Sequence, residues 1–224
     1  MERDINLDEI SDGKLYETND LVKLGCGDCA GCSACCHEMG DTIILDPYDI
    51  WQLTGNLHCT FEQLMGEGKI ALSVYDGVIL PHLRLEGPPE GCLFLNEAGR
   101  CSIHPFRPGM CRLFPLGRIY GEESFRYFLQ VHECRKESRT KVKIKKWLDI
   151  PEIRRYEQFL SHWHFFVKSV QEEIIASGGD EAFIRQRVMQ LLQTYYLTPY
   201  SGTDDFYEQY YTPVSYTHLR AHET

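Results

Sequence analysis

The sequence predicts an α+β fold, with a small domain of short helices and hairpins followed by a C-terminal helical hairpin. Two observations predict it. Turn residues recur at close intervals before residue 148, and a long helical hydrophobic periodicity begins soon after it. We therefore expect one domain at residues 1–148 and a helical extension at residues 149–213.

Short apolar segments separated by turn signals make up the first domain. Asp76–Gly77 and Gly121 each lie between two apolar runs and predict hairpins. Asp46, followed by Pro47, and Thr60 predict the starts of two short helices, the first reaching about Leu53. Further short strands are expected at residues 42–45, 93–95 and 101–103, the last two joined by a loop at residues 96–99.

The extension has the pattern of two amphipathic helices. Apolar residues recur at intervals of three and four from Ile153 to Ile174, which predicts a helix over residues 151–177 that ends at Ser177-Gly-Gly. Asp180 is placed to cap a second helix. Its inner face would hold Phe183, Ile184, Val188, Leu191 and Tyr195. We expect this pair to close the core of the first domain.

Composition excludes several classes of protein. Of the 224 residues, 43% are hydrophobic, and no apolar run approaches the ~18 residues of a membrane span. The first residues lack the pattern of an export signal, so we expect a cytoplasmic protein without a membrane partner. The net charge of −10 disfavours nucleic acid as a partner.

Residues 214–224 resemble translated adapter sequence, so we expect a non-native tail and exclude its histidines from any site.

Half of the ten cysteines lie within eleven residues. They are Cys26, Cys29, Cys32, Cys35 and Cys36. Two residues between thiolates allow a tight turn to aim both sulfur atoms at one ion, and the intervening glycines keep the loop small. Because disulfides are rare in a reducing compartment, we expect free thiols or a bound metal ion.

The spacing leaves the metal open between zinc and iron. Cys26, Cys29, Cys32 and Cys36 fit the C-x₂-C-x₂-C-x₃-C run of bacterial ferredoxins, which favours a 4Fe-4S cluster. That run normally ends in proline, where this chain has His37, and it leaves Cys35 unused. Pairing within the loop, completed by distant cysteines, suits tetrahedral zinc equally well.

A second set of cysteines lies in a compact stretch at residues 91–115. A hairpin would bring Cys92 and Cys101 together, and a short helical turn after Pro105 and Pro108 would carry Cys111. Two arginines in this stretch, Arg107 and Arg112, would either balance thiolate charge or be surface charges.

These two motifs together resemble the YkgJ-like CxxCxxCC cysteine cluster family, described as a zinc- or iron-chelating domain. The resemblance covers roughly residues 20–135. It implies a metal-stapled domain with ligands at Cys29, Cys32, Cys35, Cys36, Cys92, Cys101 and Cys111. Cys134 falls where many relatives have a final cysteine, and Cys26 extends the first motif by one step. His104 stands where a tyrosine is common, as an added ligand or a neutral substitute.

The predicted function is therefore chelation of zinc or iron, with the biological role unassigned. A related motif in flagellin lysine N-methylases implies an alternative, an iron–sulfur-dependent protein lysine methyltransferase. No G-x-G-x-x-G loop follows a strand here, which counts against that alternative. No catalytic residue can be named, and no protein partner or oligomeric state can be derived.

Other chemistry-bearing residues have simpler explanations. Cys59 is isolated, which favours a packing role. His162 and His164 lie two apart on a helix, so their side chains diverge and metal ligation is disfavoured. Residues 139–146 alternate charged and apolar side chains, which favours a solvated edge over a phosphate-binding ribbon.

Overall fold

The computed structural model describes residues 6–27, 32–136, 139–202 and 204–212. It confirms the predicted α+β class, since helices alternate with two-stranded antiparallel sheets and the long helices lie toward the C-terminus. The α-helices are α1 (Leu7–Ile10), α2 (Pro47–Leu57), α3 (Phe61–Gly66), α4 (Gly109–Leu113), α5 (Ile144–Leu148), α6 (Ile153–Ala176) and α7 (Glu181–Leu192). The strands are β1 (Leu21–Gly25), β2 (Ile70–Tyr75), β3 (Val78–Leu83), β4 (Leu85–Glu86), β5 (Gly91–Cys92), β6 (Leu116–Tyr120), β7 (Phe125–Leu129) and β8 (Thr140–Lys143).

The chain divides into two compact units. The first comprises residues 1–43 and 85–164, and the second comprises residues 44–84 and 165–224. The described cysteines of the two predicted motifs belong to the first unit, whereas Cys59 belongs to the second. The predicted domain boundary between residues 148 and 149 stays a prediction.

The second unit contains the β2–β3 hairpin, whose turn is the predicted Asp76–Gly77 pair. Tyr75 pairs with Val78, which leaves a two-residue turn. Asp76 and Gly77 have φ angles of 49° and 85°, the left-handed conformations that a type I′ turn requires. The side chain of Gln171 on α6 donates to the carbonyl of Tyr75 at 3.2 Å. The hairpin prediction is therefore confirmed.

The predicted helix starts in the second unit are confirmed by reciprocal capping. The Asp46 carboxylate accepts from the amide of Asp49, whose own carboxylate accepts from the amide of Asp46. Thr60 and Gln63 form the same arrangement at the start of α3. Each box satisfies two amide groups that the first turn of a helix leaves without partners.

Strands expected at residues 42–45, 93–95 and 101–103 are reduced to single bridges. Ile44 pairs with His82, and Leu95 pairs with Cys101. Two of these segments run directly into another element, since a helix cap follows the first and a 3-10 turn, His104–Phe106, follows the last. The chain therefore leaves the extended conformation before a ladder can form.

The first unit contains the β6–β7 hairpin, which confirms the turn predicted at Gly121. It also contains β1 paired antiparallel with β8, with an irregularity between Lys23 and Gly25. In β8, Val142 is half-buried while its three neighbours are exposed. Residues 139–146 thus form an exposed strand that turns into α5, in agreement with the predicted solvated edge.

The C-terminal helices follow the predicted boundaries closely. α6 ends at Ala176, just before Ser177-Gly-Gly, and the Asp180 side chain accepts from the amides of Ala182 and Phe183 at the start of α7. None of the helices in the described ranges is both long enough and apolar enough to cross a membrane. The predicted stripe on α6 is buried at Tyr156, Leu160, Trp163, Val167, Val170 and Ile174.

Arg112 holds the segment that carries α4 in place. Its side chain is only 8% exposed. Nη1 donates to the carbonyls of Leu148 and Asp149 at 3.1 and 3.0 Å, and Nε donates to the carbonyl of Arg107 at 3.1 Å. Nη2 donates to the carbonyl of Pro105. One guanidinium group therefore ties α4 to the 3-10 turn before it and to the end of α5.

We predict that Arg112→Lys lowers the free energy of unfolding by about 2–4 kcal/mol. A lysine keeps the positive charge, but its single ammonium group cannot reach four carbonyls, and buried acceptors without donors are costly. Urea unfolding followed by circular dichroism measures the change. Arg126→Lys is the control, because Arg126 is exposed and pairs with exposed Glu17, so less than about 1 kcal/mol is expected. Equal losses in the two variants would contradict the assigned role.

Candidate metal centre

The first cysteine motif ends in one 3-10 turn, Ala34–Cys36. The amide of Cys36 donates to the carbonyl of Ser33 at 2.8 Å, which closes the turn. Cys32, Cys35 and Cys36 are all half-buried. Cys29 lies outside the described residues.

Backbone pairing joins the end of the first motif to the start of the second. His37 forms a single antiparallel bridge with Gly91, and the amide of Glu38 donates to the carbonyl of Glu90 at 2.9 Å. Because His37 follows Cys36 and Gly91 precedes Cys92, this pairing brings together cysteines that are far apart in the sequence.

The loop between Cys92 and Cys101 brings these two residues together, as predicted. The amide of Leu95 donates to the carbonyl of Cys92 at 3.0 Å, and Leu95 also bridges Cys101. The loop at residues 96–99 closes with Gly99 at a φ of 68°, where glycine avoids the strain of a side chain. A Cβ atom on Gly99 would lie 3.9 Å from the Ser33 hydroxyl, so the first motif borders this loop.

Cys111 lies on α4, which confirms the helical turn predicted after Pro108. The helix is only five residues long and begins directly after that proline. Cys111 is half-buried. Arg112, the next residue, holds the helix through the carbonyl contacts described above.

Cys35 and Cys36 share a side-chain hydrogen bond that separates their pKa values. With Cys36 as the donor, this bond lowers the pKa of Cys35 from 9.0 to about 7; burial opposes the change and Arg107 assists it. The same bond raises the pKa of Cys36, as do burial and negative charge at Cys35, Cys111 and Cys92. Cys36 therefore lies within electrostatic reach of Cys92 and Cys111, two of the three cysteines of the second motif.

Cys101 joins the same group of sulfur atoms. Burial raises its pKa, the positive charges of Arg107 and Arg100 oppose this, and negative charge at Cys35 adds to it. Electrostatic interactions thus link five of the predicted ligands, which we call the sulfur cluster: Cys35, Cys36, Cys92, Cys101 and Cys111.

The two arginines near this cluster have different roles. Arg107 helps to lower the pKa of Cys35 and opposes the rise in the pKa of Cys101, as expected for a charge that balances thiolates. Arg112 was expected either to balance thiolates or to lie on the surface, but it is buried and donates to carbonyl groups. His104, expected as an added ligand or a neutral substitute, contacts Arg107 through Nε2.

The remaining cysteines lie at separate positions in the chain. Cys26 directly follows β1, and Cys134 follows the turn after β7. Both are half-buried, and both stay predictions as ligands. Cys59 is half-buried in the second unit, and burial raises its pKa. The ring of His164 stacks on Tyr120 with centroids 3.5 Å apart.

The sulfur cluster is a set of neighbouring donors and not yet a coordination shell. In the described ranges, no three Cys, His, Asp or Glu side chains stand where they would already hold a metal ion. Metal binding commonly completes local folding, because thiolates repel one another until a cation neutralises them.

Three features of the sulfur cluster and of the residues that join the two motifs nevertheless fit zinc or iron. Thiolates are the donors that both metals accept in proteins. The Nδ1 atom of His37 is buried and has no hydrogen-bond partner in the part of the chain that the structure describes. The missing side chain of Gly91 leaves space beside that atom, since a Cβ there would lie 3.1 Å from it. In the sequence, His37 was notable only as a departure from a ferredoxin run.

Comparison with known families gives one match. The family model CxxCxxCC, described as "putative zinc- or iron-chelating domain", matches residues 28–139, which is half of the chain. The chain therefore belongs to the CxxCxxCC family, as the two motifs predicted. No curated protein and no solved structure matched the chain. The methyltransferase alternative gains no support and stays a hypothesis.

We predict that Cys35 of the metal-free, reduced protein is alkylated with a midpoint near pH 7. The lowered pKa of Cys35 makes the reactive thiolate its main form above that pH. Burial raises the pKa of Cys59, so Cys59 stays a thiol at neutral pH. Iodoacetamide labelling across the neutral range, quantified by peptide mass spectrometry, compares the two residues in one sample. Labelling of Cys59 at pH 7 as fast as Cys35 would contradict the prediction.

Proposed function

We propose that this protein chelates zinc or iron through its clustered cysteine thiolates. The supporting observation is the sulfur cluster, in which Cys36 from the first motif is within electrostatic reach of Cys92 and Cys111 from the second. Membership of the CxxCxxCC family supports the same chemistry. The proposed ligands are the predicted set of Cys26, Cys29, Cys32, Cys35, Cys36, Cys92, Cys101, Cys111 and Cys134.

The number of donors exceeds what one tetrahedral ion requires. A structural zinc site uses four ligands, and a four-iron cluster also uses four cysteines. Nine candidate thiols therefore suit one or two ions, or one cluster with thiols left over. The hydrogen bond between Cys35 and Cys36 supports a site that uses these adjacent residues together, rather than the ferredoxin run alone.

The proposed ion acts as a cross-link within the first unit. The elements that carry the sulfur cluster are short, namely one 3-10 turn, a two-residue strand and a five-residue helix. Such elements bury little apolar surface of their own, so a shared cation would replace part of a hydrophobic core. The described cysteines are all thiols, and we extend the proposal to a reducing, cytoplasmic compartment, where they would stay so.

We predict that anaerobically purified protein contains stoichiometric zinc or iron. Colourless protein with zinc indicates a structural zinc site, and brown protein with iron and sulfide indicates a cluster. A strong chelator should lower the thermal unfolding midpoint, because a ligand present at a thousand times its Kd stabilises the folded state by about 4 kcal/mol. Elemental analysis, the visible spectrum and calorimetry provide the measurements.

Cysteine variants test whether the sulfur cluster is the binding site. Cys36→Ser and Cys111→Ser should each weaken metal binding by more than about a hundredfold, since losing an outer-shell partner alone costs about 10–100-fold. Cys59→Ser is the matched control, because Cys59 is also half-buried but belongs to the second unit. Protein without either metal, or equal metal loss in all three variants, would refute the proposal.

A further inference from the structure

His37 lies where the two cysteine motifs meet. It directly follows Cys36, and its backbone pairs with Gly91, the residue before Cys92. Cys36 and Cys92 both belong to the sulfur cluster. The backbone pairing therefore places His37 at the junction of the two motifs, next to Cys36 in the sequence and paired with the residue that precedes Cys92.

The two ring nitrogens of His37 have different surroundings. Nε2 lies 3.4 Å from the hydroxyl oxygen of Ser33, whereas Nδ1 is buried and has no hydrogen-bond partner among the described residues. If the Nε2 N–H group donates to Ser33, the lone pair of a neutral ring is on Nδ1. Metal-binding histidines in proteins commonly have this arrangement, in which a hydrogen bond on one nitrogen orients the other toward the ion.

The backbone beside Nδ1 is kept clear of side-chain atoms at Gly91. A Cβ atom there would lie 3.1 Å from Nδ1 and 3.2 Å from Cε1, closer than side chains ordinarily approach. A buried nitrogen with an unused lone pair is costly to maintain without a partner. An ion held by the neighbouring thiolates would provide that partner.

We propose that Nδ1 of His37 is a ligand of the metal ion, so that the site has mixed sulfur and nitrogen donors. This proposal rests on the proposed function. A neutral imidazole in place of a fourth thiolate removes one negative charge from the site. The purely structural alternative is that His37 serves only through its backbone bridge to Gly91, and this alternative predicts no nitrogen at the metal.

X-ray absorption at the edge of the metal in the purified wild-type protein tests the proposal without any substitution. For zinc, a nitrogen ligand gives a shell at about 2.0–2.1 Å that is distinct from sulfur at about 2.3 Å. We expect at least one nitrogen with imidazole scattering beyond it. A shell made of sulfur alone would overturn the role of His37 and leave the proposed function standing. Protein without zinc or iron would overturn both.

Two substitutions assign the nitrogen to His37. Titration of the metal-free protein with Co²⁺ should show weaker binding in His37→Ala, by about tenfold or more, together with a shifted ligand-field spectrum. His37→Cys should restore tight binding and increase the sulfur-to-cobalt charge-transfer absorption, because a thiolate replaces the imidazole. His58→Ala is the control, since His58 is exposed in the second unit, and it should match the wild type.

The spectra also distinguish ligation from a structural role of the side chain. If His37→Ala keeps the wild-type Co²⁺ spectrum and affinity, His37 is not a ligand. If His37→Ala does not fold, the wild-type nitrogen shell and the charge-transfer gain in His37→Cys decide the matter. Absence of both the shell and the gain would overturn the proposal.

Discussion

Sulfur atoms brought close together must share protons, tolerate excess negative charge or bind a cation. The structure shows the first two of these solutions side by side. Cys36 donates a hydrogen bond to Cys35, which lowers the pKa of one thiol and raises that of the other. Arg107 supplies compensating positive charge to Cys35 and Cys101. A bound cation would relieve the same repulsion more completely.

Arg107 and Arg112, five residues apart, support the sulfur cluster in different ways. Arg107 acts through its charge on the thiols, while Arg112 holds α4 by donating to backbone carbonyls. The difference follows from burial, since a guanidinium group that is 8% exposed must fill its hydrogen-bonding capacity locally. Arg107 thus favours the charged form of the thiols, and Arg112 fixes the helix that carries Cys111.

Local signals predicted the elements of this protein well. Asp46, Thr60 and Asp180 cap helices as expected, and Asp76–Gly77 forms the expected turn, because caps and turns depend on residues within four positions of each other. The prediction of a strand at residues 42–45 was wrong because strand formation depends on residues that are distant in the sequence. A strand needs a partner, and the pairing of Ile44 with His82 extends no further than one bridge.

The sequence by itself determined the donor chemistry: ten cysteines, five of them within eleven residues, in the spacing of a chelating family. Spacing within a short loop limits how far apart two thiols can lie, so this much follows from local geometry. Only the tertiary structure decided that Cys36 lies near Cys92 and Cys111, and that a buried nitrogen of His37 lies where the motifs meet. That arrangement depends on the pairing of His37 with Gly91, a contact between residues 54 positions apart that no local pattern encodes.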